Sequence, residues 1–155
     1  MTTDCEICRR MKDGMSEANP YFVAELETGY VVLADNQYVP GYSLFISSTC
    51  VPELHELPRD RRSRFLEEMA TVAEAVFRAF EPRKLNYELL GNSVAHLHWH
   101  LIPRYADDPK PAWPIWSNDE FLSAPRVTPI EAGVLGERRQ RLRDALTAVR
   151  ASAGR

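Results

Sequence analysis

The sequence has few of the features that mark secreted, membrane-bound or nucleic-acid-binding proteins. It holds three cysteines, an odd count that does not suit a secreted disulfide framework. Its apolar stretches are much too short to cross a bilayer, and the polar start at residues 1–4, followed by a charged segment at 5–14, predicts no secretory signal. We therefore expect a cytoplasmic protein with reduced thiols and no membrane partner.

Charge of one sign is also scarce. The net charge is −3, and the arginine-rich stretches 59–64 and 138–143 alternate with acidic and apolar residues. Such alternation is typical of a solvated helix face rather than of a surface that binds a phosphate backbone, so we expect no nucleic-acid partner. A chain of 155 residues that is 45% hydrophobic is long and apolar enough to bury the core of one domain.

The spacing of apolar residues predicts an α+β domain. Residues 58–80, between Pro58 and Pro82, give the strongest helix pattern, and residues 129–152 form a second, C-terminal helix. Short apolar runs bounded by turn residues predict five strands, at 21–27, 30–34, 42–47, 84–90 and 95–103. Strands, one long helix and then strands again are typical of a mainly antiparallel sheet.

Three of the four histidines fall within five residues, at His96, His98 and His100. Because side chains alternate along a strand, the three rings are predicted to share one face, while Leu97 and Trp99 take the other. Polar rings on a core strand need partners, which favours a chemical role over solvent-facing histidines. Same-face neighbours stand about 7 Å apart, so binding of one metal by all three would strain the strand. Neutral imidazole is a nucleophile near pH 7, which favours attack on phosphorus by the central ring.

Cys5 and Cys8 form a Cys-x-x-Cys pair near the start of the chain. Such a pair is typical of half a zinc site or of a redox motif, and the βαβ pattern that accompanies the redox motif is missing. Tetrahedral zinc needs two more ligands from elsewhere in the chain. Buried free cysteines without a metal remain the alternative.

The segment His96–Arg104, His-Leu-His-Trp-His-Leu-Ile-Pro-Arg, resembles the signature of the histidine-triad (HIT) family. The resemblance extends over residues 5–105 through Asp35, the Pro40-Gly41 pair and the long helix. It implies a HIT-like α+β fold, a homodimer, and a purine nucleotide or dinucleotide as ligand. It also implies a HIT domain over 1–105 with an N-terminal zinc-binding segment, and a Pro- and Trp-containing arm with a C-terminal helix over 106–155, packed on the same domain.

The resemblance assigns roles residue by residue. His98 matches the nucleophile that forms a nucleotidyl-histidine intermediate, and His100 matches the histidine that contacts the phosphate and the leaving group. Asp35 matches the acidic residue that binds ribose hydroxyls, for which a carboxylate acceptor is well suited. Asn92 and Ser93 lie where family members place phosphate contacts, and a plain turn between strands is the alternative.

The metal ligands also follow from the resemblance. Bacterial members with the same Cys-x-x-Cys add a histidine at the end of the third strand and the first triad histidine. Cys50 takes the strand-end position here, and thiolate replaces imidazole as a ligand. The implied site is a closed, structural Zn²⁺ site of Cys5, Cys8, Cys50 and His96. His55 is a competing ligand, for which a surface position is favoured.

The implied activity is hydrolysis of nucleotides or dinucleoside polyphosphates at the α-phosphate, with diadenosine tetraphosphate-like compounds as leading substrates. A phosphorylase or nucleotidyl transferase, a phosphoramidate hydrolase and a non-catalytic nucleotide sensor are the alternatives. Trp113 and Trp116 either line the pocket, since bases stack well on indole, or attach the arm to the body of the protein.

Overall fold

A computed structural model describes residues 5–153, which form a five-stranded sheet flanked by helices. The strands are β1 (Phe22–Glu25), β2 (Gly29–Leu33), β3 (Ser43–Ser47), β4 (Lys84–Glu88) and β5 (His98–Arg104). Their order in the sheet is β1-β2-β3-β5-β4, and every neighbouring pair is antiparallel. The predicted α+β fold with a five-stranded antiparallel sheet is confirmed.

Four α-helices accompany the sheet: α1 (Glu6–Gly14), α2 (Arg59–Phe80), α3 (Asp119–Ser123) and α4 (Ala132–Ala153). The two long helices α2 and α4 were predicted, whereas α1 and α3 were not. A helix of nine residues has little stability of its own, so α1 depends on packing that its short sequence does not reveal. Within residues 5–153, none of the helices combines the length and apolarity that crossing a membrane requires.

The two faces of the sheet are covered differently. One face packs against α2 and α4, and the rings of Phe45 and Phe65 stack there with centroids 4.8 Å apart. The other face carries a smaller apolar cluster of Phe22, Val32 and Ile46, and the apolar side of α1 packs on it. Helix α1 therefore covers the face of the sheet that the alternation of β5 gives to the histidines.

Strand β5 lies between β3 and β4, with His98 opposite Ile46 and His100 opposite Leu44. Trp99 takes the opposite side and packs against the α2–α4 core. The prediction that this strand begins at residue 95 was wrong. The amide of His96 donates to the carbonyl of Val94, two residues earlier, and so tight a turn is incompatible with an extended strand.

The turn before β3 determines the position of Tyr42. Gly41 has φ +79°, and a Cβ added to it would lie 2.4 Å from the ring of Phe80. Both the backbone conformation and the close approach require glycine. The Pro40-Gly41 turn thus places Tyr42 just before β3, where its side chain contacts His100.

Candidate functional site

His98 is the first residue of β5, and a backbone carbonyl orients its ring. Its Nδ1 lies 2.6 Å from the carbonyl oxygen of His96, which can only accept, so Nδ1 carries the proton and donates. In the neutral ring the lone pair is then on Nε2, the nitrogen available for nucleophilic attack. His98 is 8% exposed and lines a cavity of about 450 Å³.

His100 lies beside His98, with the two ring centroids 4.7 Å apart. The hydroxyl of Tyr42 is 2.5 Å from its Nδ1. Burial and the nearby His98 lower the pKa of His100 to about 4, and burial raises the pKa of Tyr42. The pair is therefore a neutral imidazole and a neutral phenol. When the phenol donates to Nδ1, the N–H at Nε2 of His100 is left to donate to a phosphate oxygen.

The cavity beside His98 lies between the sheet and α1. Its volume is within the range of roughly 300 to 1,000 Å³ that is usual for ligand sites. Two of its walls carry arginines, Arg9 and Arg10 from α1 and Arg126 from the arm, and Glu6 and Asp35 add two carboxylates. Guanidinium groups around a cavity favour a ligand that carries phosphate.

Asp35 lines the same cavity as His98, as a nucleotide site formed by both residues requires. Its carboxylate is paired with Arg10, at 2.6 Å between Oδ2 and Nη2. The two side chains are 27% and 56% exposed, so water weakens the pair and a ligand hydroxyl can replace it. Sequence reasoning missed Arg10 because a charged residue in a short segment reads as a surface residue.

Asn92 and Ser93 are exposed, in the bend between β4 and β5. The residue of this bend that contributes to the cavity wall is Val94. The assignment of Asn92 and Ser93 to phosphate binding stays a prediction.

Cys5, Cys8, Cys50 and His96 come together, and their ligand atoms lie within 4.8 Å of one another. The Nδ1 atom of His96 is 3.4 Å from Sγ of Cys5 and 3.5 Å from Sγ of Cys8. Tetrahedral zinc with ordinary bond lengths holds its sulfur and nitrogen ligands roughly 3.6 Å apart. The four residues therefore fit a metal ion. His55 is exposed in the 3-10 turn Leu54–Glu56 and lies outside this group.

The ring of His96 is oriented for metal binding. Its side chain is 0% exposed, and Nε2 donates to the carbonyl oxygen of Ser47 at 2.8 Å. The lone pair on Nδ1 therefore points at the sulfurs, as in sites where a carbonyl orients a histidine ligand. Burial lowers the pKa of His96 and raises that of Cys8 to about 12, so these two side chains are neutral without a cation, and a bound cation would favour the thiolate of Cys8.

Residues 106–131, between Tyr105 and α4, form the arm. Arg104, only 5% exposed, holds the arm in place through its guanidinium. That group donates to Asp108, to Asn86 of β4, and to the backbone carbonyls of Lys110 and Trp113. Sequence reasoning predicted that aromatic side chains attach the arm, and it missed this arginine, whose partners come from two separate segments.

The two tryptophans of the arm have different surroundings. Trp116 meets the ring of His100 edge to face, at 6.0 Å between centroids, and the ring of Phe121 at 5.4 Å. Its indole N–H donates to the carboxylate of Glu88. Trp113 is 64% exposed. Of these two side chains, Trp116 is therefore the one that borders the histidine pair.

Comparison with known proteins agrees with this geometry. A sequence model of the HIT domain matches residues 16–107. The protein hit of Bacillus subtilis (strain 168) is 29% identical over 107 residues, which cover 66% of this chain and 72% of that protein.

Two solved structures establish the fold. A histidine triad nucleotide-binding protein from Sulfolobus tokodaii strain7 has a TM-score of 0.70 at 20% identity, over 94% of each chain. A Zn-bound histidine triad family protein from Mycobacterium smegmatis has a TM-score of 0.66 at 17% identity, over 96% of this chain and 97% of that one. Because the domain model matches more than half of the residues, this chain belongs to the HIT domain family.

Proposed function

We propose that this protein cleaves a nucleotide or dinucleotide at its α-phosphate, with His98 as the nucleophile and water as the final acceptor. Members of the HIT family generally bind nucleotides and are hydrolases or transferases. The orientation of His98 carries the proposal. Its Nδ1 is committed to the carbonyl of His96, which leaves Nε2 free in a cavity that also contains Asp35.

In the first step, Nε2 of His98 attacks the α-phosphorus. A P–N bond forms, and the bond to the leaving phosphate oxygen breaks, with its electron pair going to that oxygen. The imidazole becomes cationic as it bonds, and its Nδ1–H bond to the carbonyl of His96 strengthens with the developing charge. The Nε2–H group of His100 donates to the phosphate oxygens or to the leaving oxygen.

In the second step, water attacks the same phosphorus and the P–N bond breaks. The electron pair returns to Nε2 of His98, and the proton of the water molecule is released to solvent. The product is a nucleoside monophosphate, and the enzyme is regenerated. Two displacements replace one difficult reaction, which is the general advantage of a covalent intermediate.

The ligand that we propose is a purine nucleotide or dinucleotide, with diadenosine tetraphosphate-like compounds as leading candidates. Asp35 accepts hydrogen bonds from the ribose hydroxyls, and the ribose displaces Arg10 from that carboxylate. Asn92 and Ser93 contact the phosphates. Arg9 and Arg126 beside the cavity support an anionic ligand, because guanidinium groups bind phosphate well.

We propose that the metal is zinc, held by Cys5, Cys8, Cys50 and His96. Closed four-ligand sites are structural, so its contribution is to join α1 to the segment before β5. This join bears on catalysis because the carbonyl of His96 orients His98. Thiolate ligands suit a reducing compartment such as the cytoplasm.

The family resemblance also leads us to propose a homodimer, which size measurement in solution would test.

A screen of mono- and dinucleotides, with the products identified, tests the proposed activity. We expect a nucleoside monophosphate without added phosphate, and a nucleotidyl adduct on His98 detectable by mass spectrometry. The exposed His55 offers a control, since His55→Ala should keep wild-type turnover. A nucleoside diphosphate product that requires inorganic phosphate would replace hydrolase by phosphorylase. Nucleotide binding with neither adduct nor turnover would identify a sensor instead.

A further inference from the structure

Trp116 contacts the ring of His100, although it lies in the arm, beyond the residues 16–107 that match the HIT domain. The rings of His98, His100 and Trp116 follow one another, with centroid separations of 4.7 Å and 6.0 Å. The indole is 37% exposed, so part of its surface is open to a ligand. An exposed aromatic surface next to a reactive pair suits contact with substrate.

The chain on both sides of Trp116 is held firmly. Ile115 is 1% exposed, in the apolar cluster beneath the arm. On the other side, buried Asn118 caps α3, and its Oδ1 accepts from the amides of Glu120 and Phe121. The backbone that carries the indole is therefore anchored before and after it.

The indole itself is held from a second direction. Its N–H donates to Glu88 of β4, and Glu88 is paired with His100 in the strand register. With the N–H engaged and an edge-to-face contact to Phe121, the ring has a defined orientation. Because the polar atom is occupied, the apolar ring surface is what Trp116 can offer to a ligand.

The nucleotide cavity borders one ring of the histidine pair, His98, and Trp116 contacts the other ring, His100. The cavity contains His98 and Asp35 and is walled by α1, whereas Trp116 approaches through His100. In a displacement at phosphorus, the attacking and leaving groups are on opposite sides of the reacting atom. If Asp35 and His98 hold the nucleotide that is transferred, the leaving group extends past His100 towards the arm.

We infer that Trp116 forms the wall of the leaving-group site and selects leaving groups that carry an aromatic ring, such as the second nucleoside of a dinucleotide. This inference rests on the proposed function, because it needs a nucleotide in the cavity beside His98. Stacking of a base on an aromatic side chain changes affinity by about ten- to a hundredfold. Trp116 acts in substrate selection and not as a donor or acceptor of protons.

The test compares two substrates that share the transferred adenylyl group. Diadenosine tetraphosphate has a leaving group with a base, and adenosine tetraphosphate has inorganic triphosphate as its leaving group. We expect Trp116→Ala to lower kcat/KM for the dinucleotide about tenfold, and for adenosine tetraphosphate by less than about twofold. Trp116→Phe should retain most of the preference. Trp113→Ala, a change to an exposed indole of the same arm, should alter neither value.

An equal loss on both substrates would overturn the inference, since it would mean that Trp116 only positions His100. Unchanged kcat/KM on both would overturn it as well. Calorimetric binding in a His98→Ala background keeps this test separate from the proposed chemistry. There Trp116→Ala should weaken the dinucleotide about tenfold and adenosine tetraphosphate by less than about twofold, even if the wild-type protein turns over neither substrate. If Trp116→Ala leaves the affinity for the dinucleotide unchanged in that background, the inference is wrong.

Discussion

His96 and His98 are two residues apart and chemically identical, yet their rings present opposite nitrogens. His96 donates from Nε2 to the carbonyl of Ser47 and turns Nδ1 towards the sulfurs of Cys5 and Cys8. His98 donates from Nδ1 to the carbonyl of His96 and keeps Nε2 free in a cavity. A backbone carbonyl thus selects the free nitrogen in each case, and the free nitrogen suits His96 to the proposed metal binding and His98 to the proposed nucleophilic attack.

The two regions also differ in what surrounds them. The cysteine–histidine group is largely buried, with His96 at 0% and Cys8 at 2% exposure and with Cys5 and Cys50 partly buried, and its components come from three separate segments. The reactive pair borders a cavity and a half-exposed indole. We propose that the first region serves structure and the second serves chemistry. The two regions are connected through the carbonyl of His96. A change in the cysteine–histidine group should therefore affect His98 indirectly.

Replacement of His96 and of His98 by alanine, one at a time, should have the largest effects and should separate the two regions. We expect His98→Ala to lower turnover at least about a thousandfold, as removal of a nucleophile does, while metal content stays at the wild-type level. His96→Ala should lose the metal and lower stability. Turnover assays and elemental analysis of both proteins measure this. Loss of metal in His98→Ala with retained turnover would reverse the assignment.

Cys8→Ser tests the structural role of the metal group by itself. Free zinc at roughly 100 to 1,000 times its Kd stabilises a folded protein by about 2.7 to 4.1 kcal/mol. We expect the variant to lose stabilisation of this size, as measured by urea unfolding with and without zinc. Chelation should bring the wild-type protein down to the level of the variant. If the wild-type protein unfolds identically with zinc and with chelator, the four residues hold no structural metal.

His100 should make the free energy of unfolding depend on pH. Folding lowers the pKa of His100 to about 4, below the value of about 6.5 of an unfolded imidazole. The unfolded state then binds the proton more readily, so the free energy of unfolding falls as pH drops from about 6.5 to about 4. His100→Gln lacks this titration and should lose less stability over the same window. His55→Gln, a change at an exposed histidine, should keep the wild-type slope, and parallel curves for His100→Gln would contradict the expectation.

The smallest effect is expected at the far end of the cavity, where Arg10 pairs with Asp35. An exposed ion pair contributes up to about 1 kcal/mol, so freeing Asp35 by Arg10→Ala should tighten nucleoside monophosphate binding by up to about fivefold. Lys12→Ala removes the same charge from the same helix at an exposed position and serves as the control. Calorimetry measures both. Weaker binding in Arg10→Ala would mean that Arg10 contacts the phosphate instead.

Much of the fold could be predicted because its elements have strong periodic patterns. The long helix expected at 58–80 is α2 (Arg59–Phe80), and the five expected strands occur in the expected order along the chain. The start of β5 could not be predicted. The tight turn at His96 interrupts an apolar–polar alternation that otherwise reads as continuous strand.

The structure also contains contacts that no local pattern encodes. Arg10 with Asp35, Arg104 with the arm, and Glu68 with the amides of Glu27 and Thr28 each join charged residues to distant partners. A charged residue read in isolation is a surface residue by default. Its partner becomes evident only when the helices and strands are packed together.

The sequence by itself determined the family and the fold class and led to the proposed chemistry, because three histidines alternating with apolar residues and a Cys-x-x-Cys pair are local patterns with few other uses. Only the tertiary structure decided which ring nitrogen of each histidine is free. The carbonyl of Ser47 comes from another strand, and the sulfurs of Cys5 and Cys8 reach His96 through an unpredicted helix. Which ring nitrogen is free depends on those partners, and their positions follow from packing rather than from spacing along the chain.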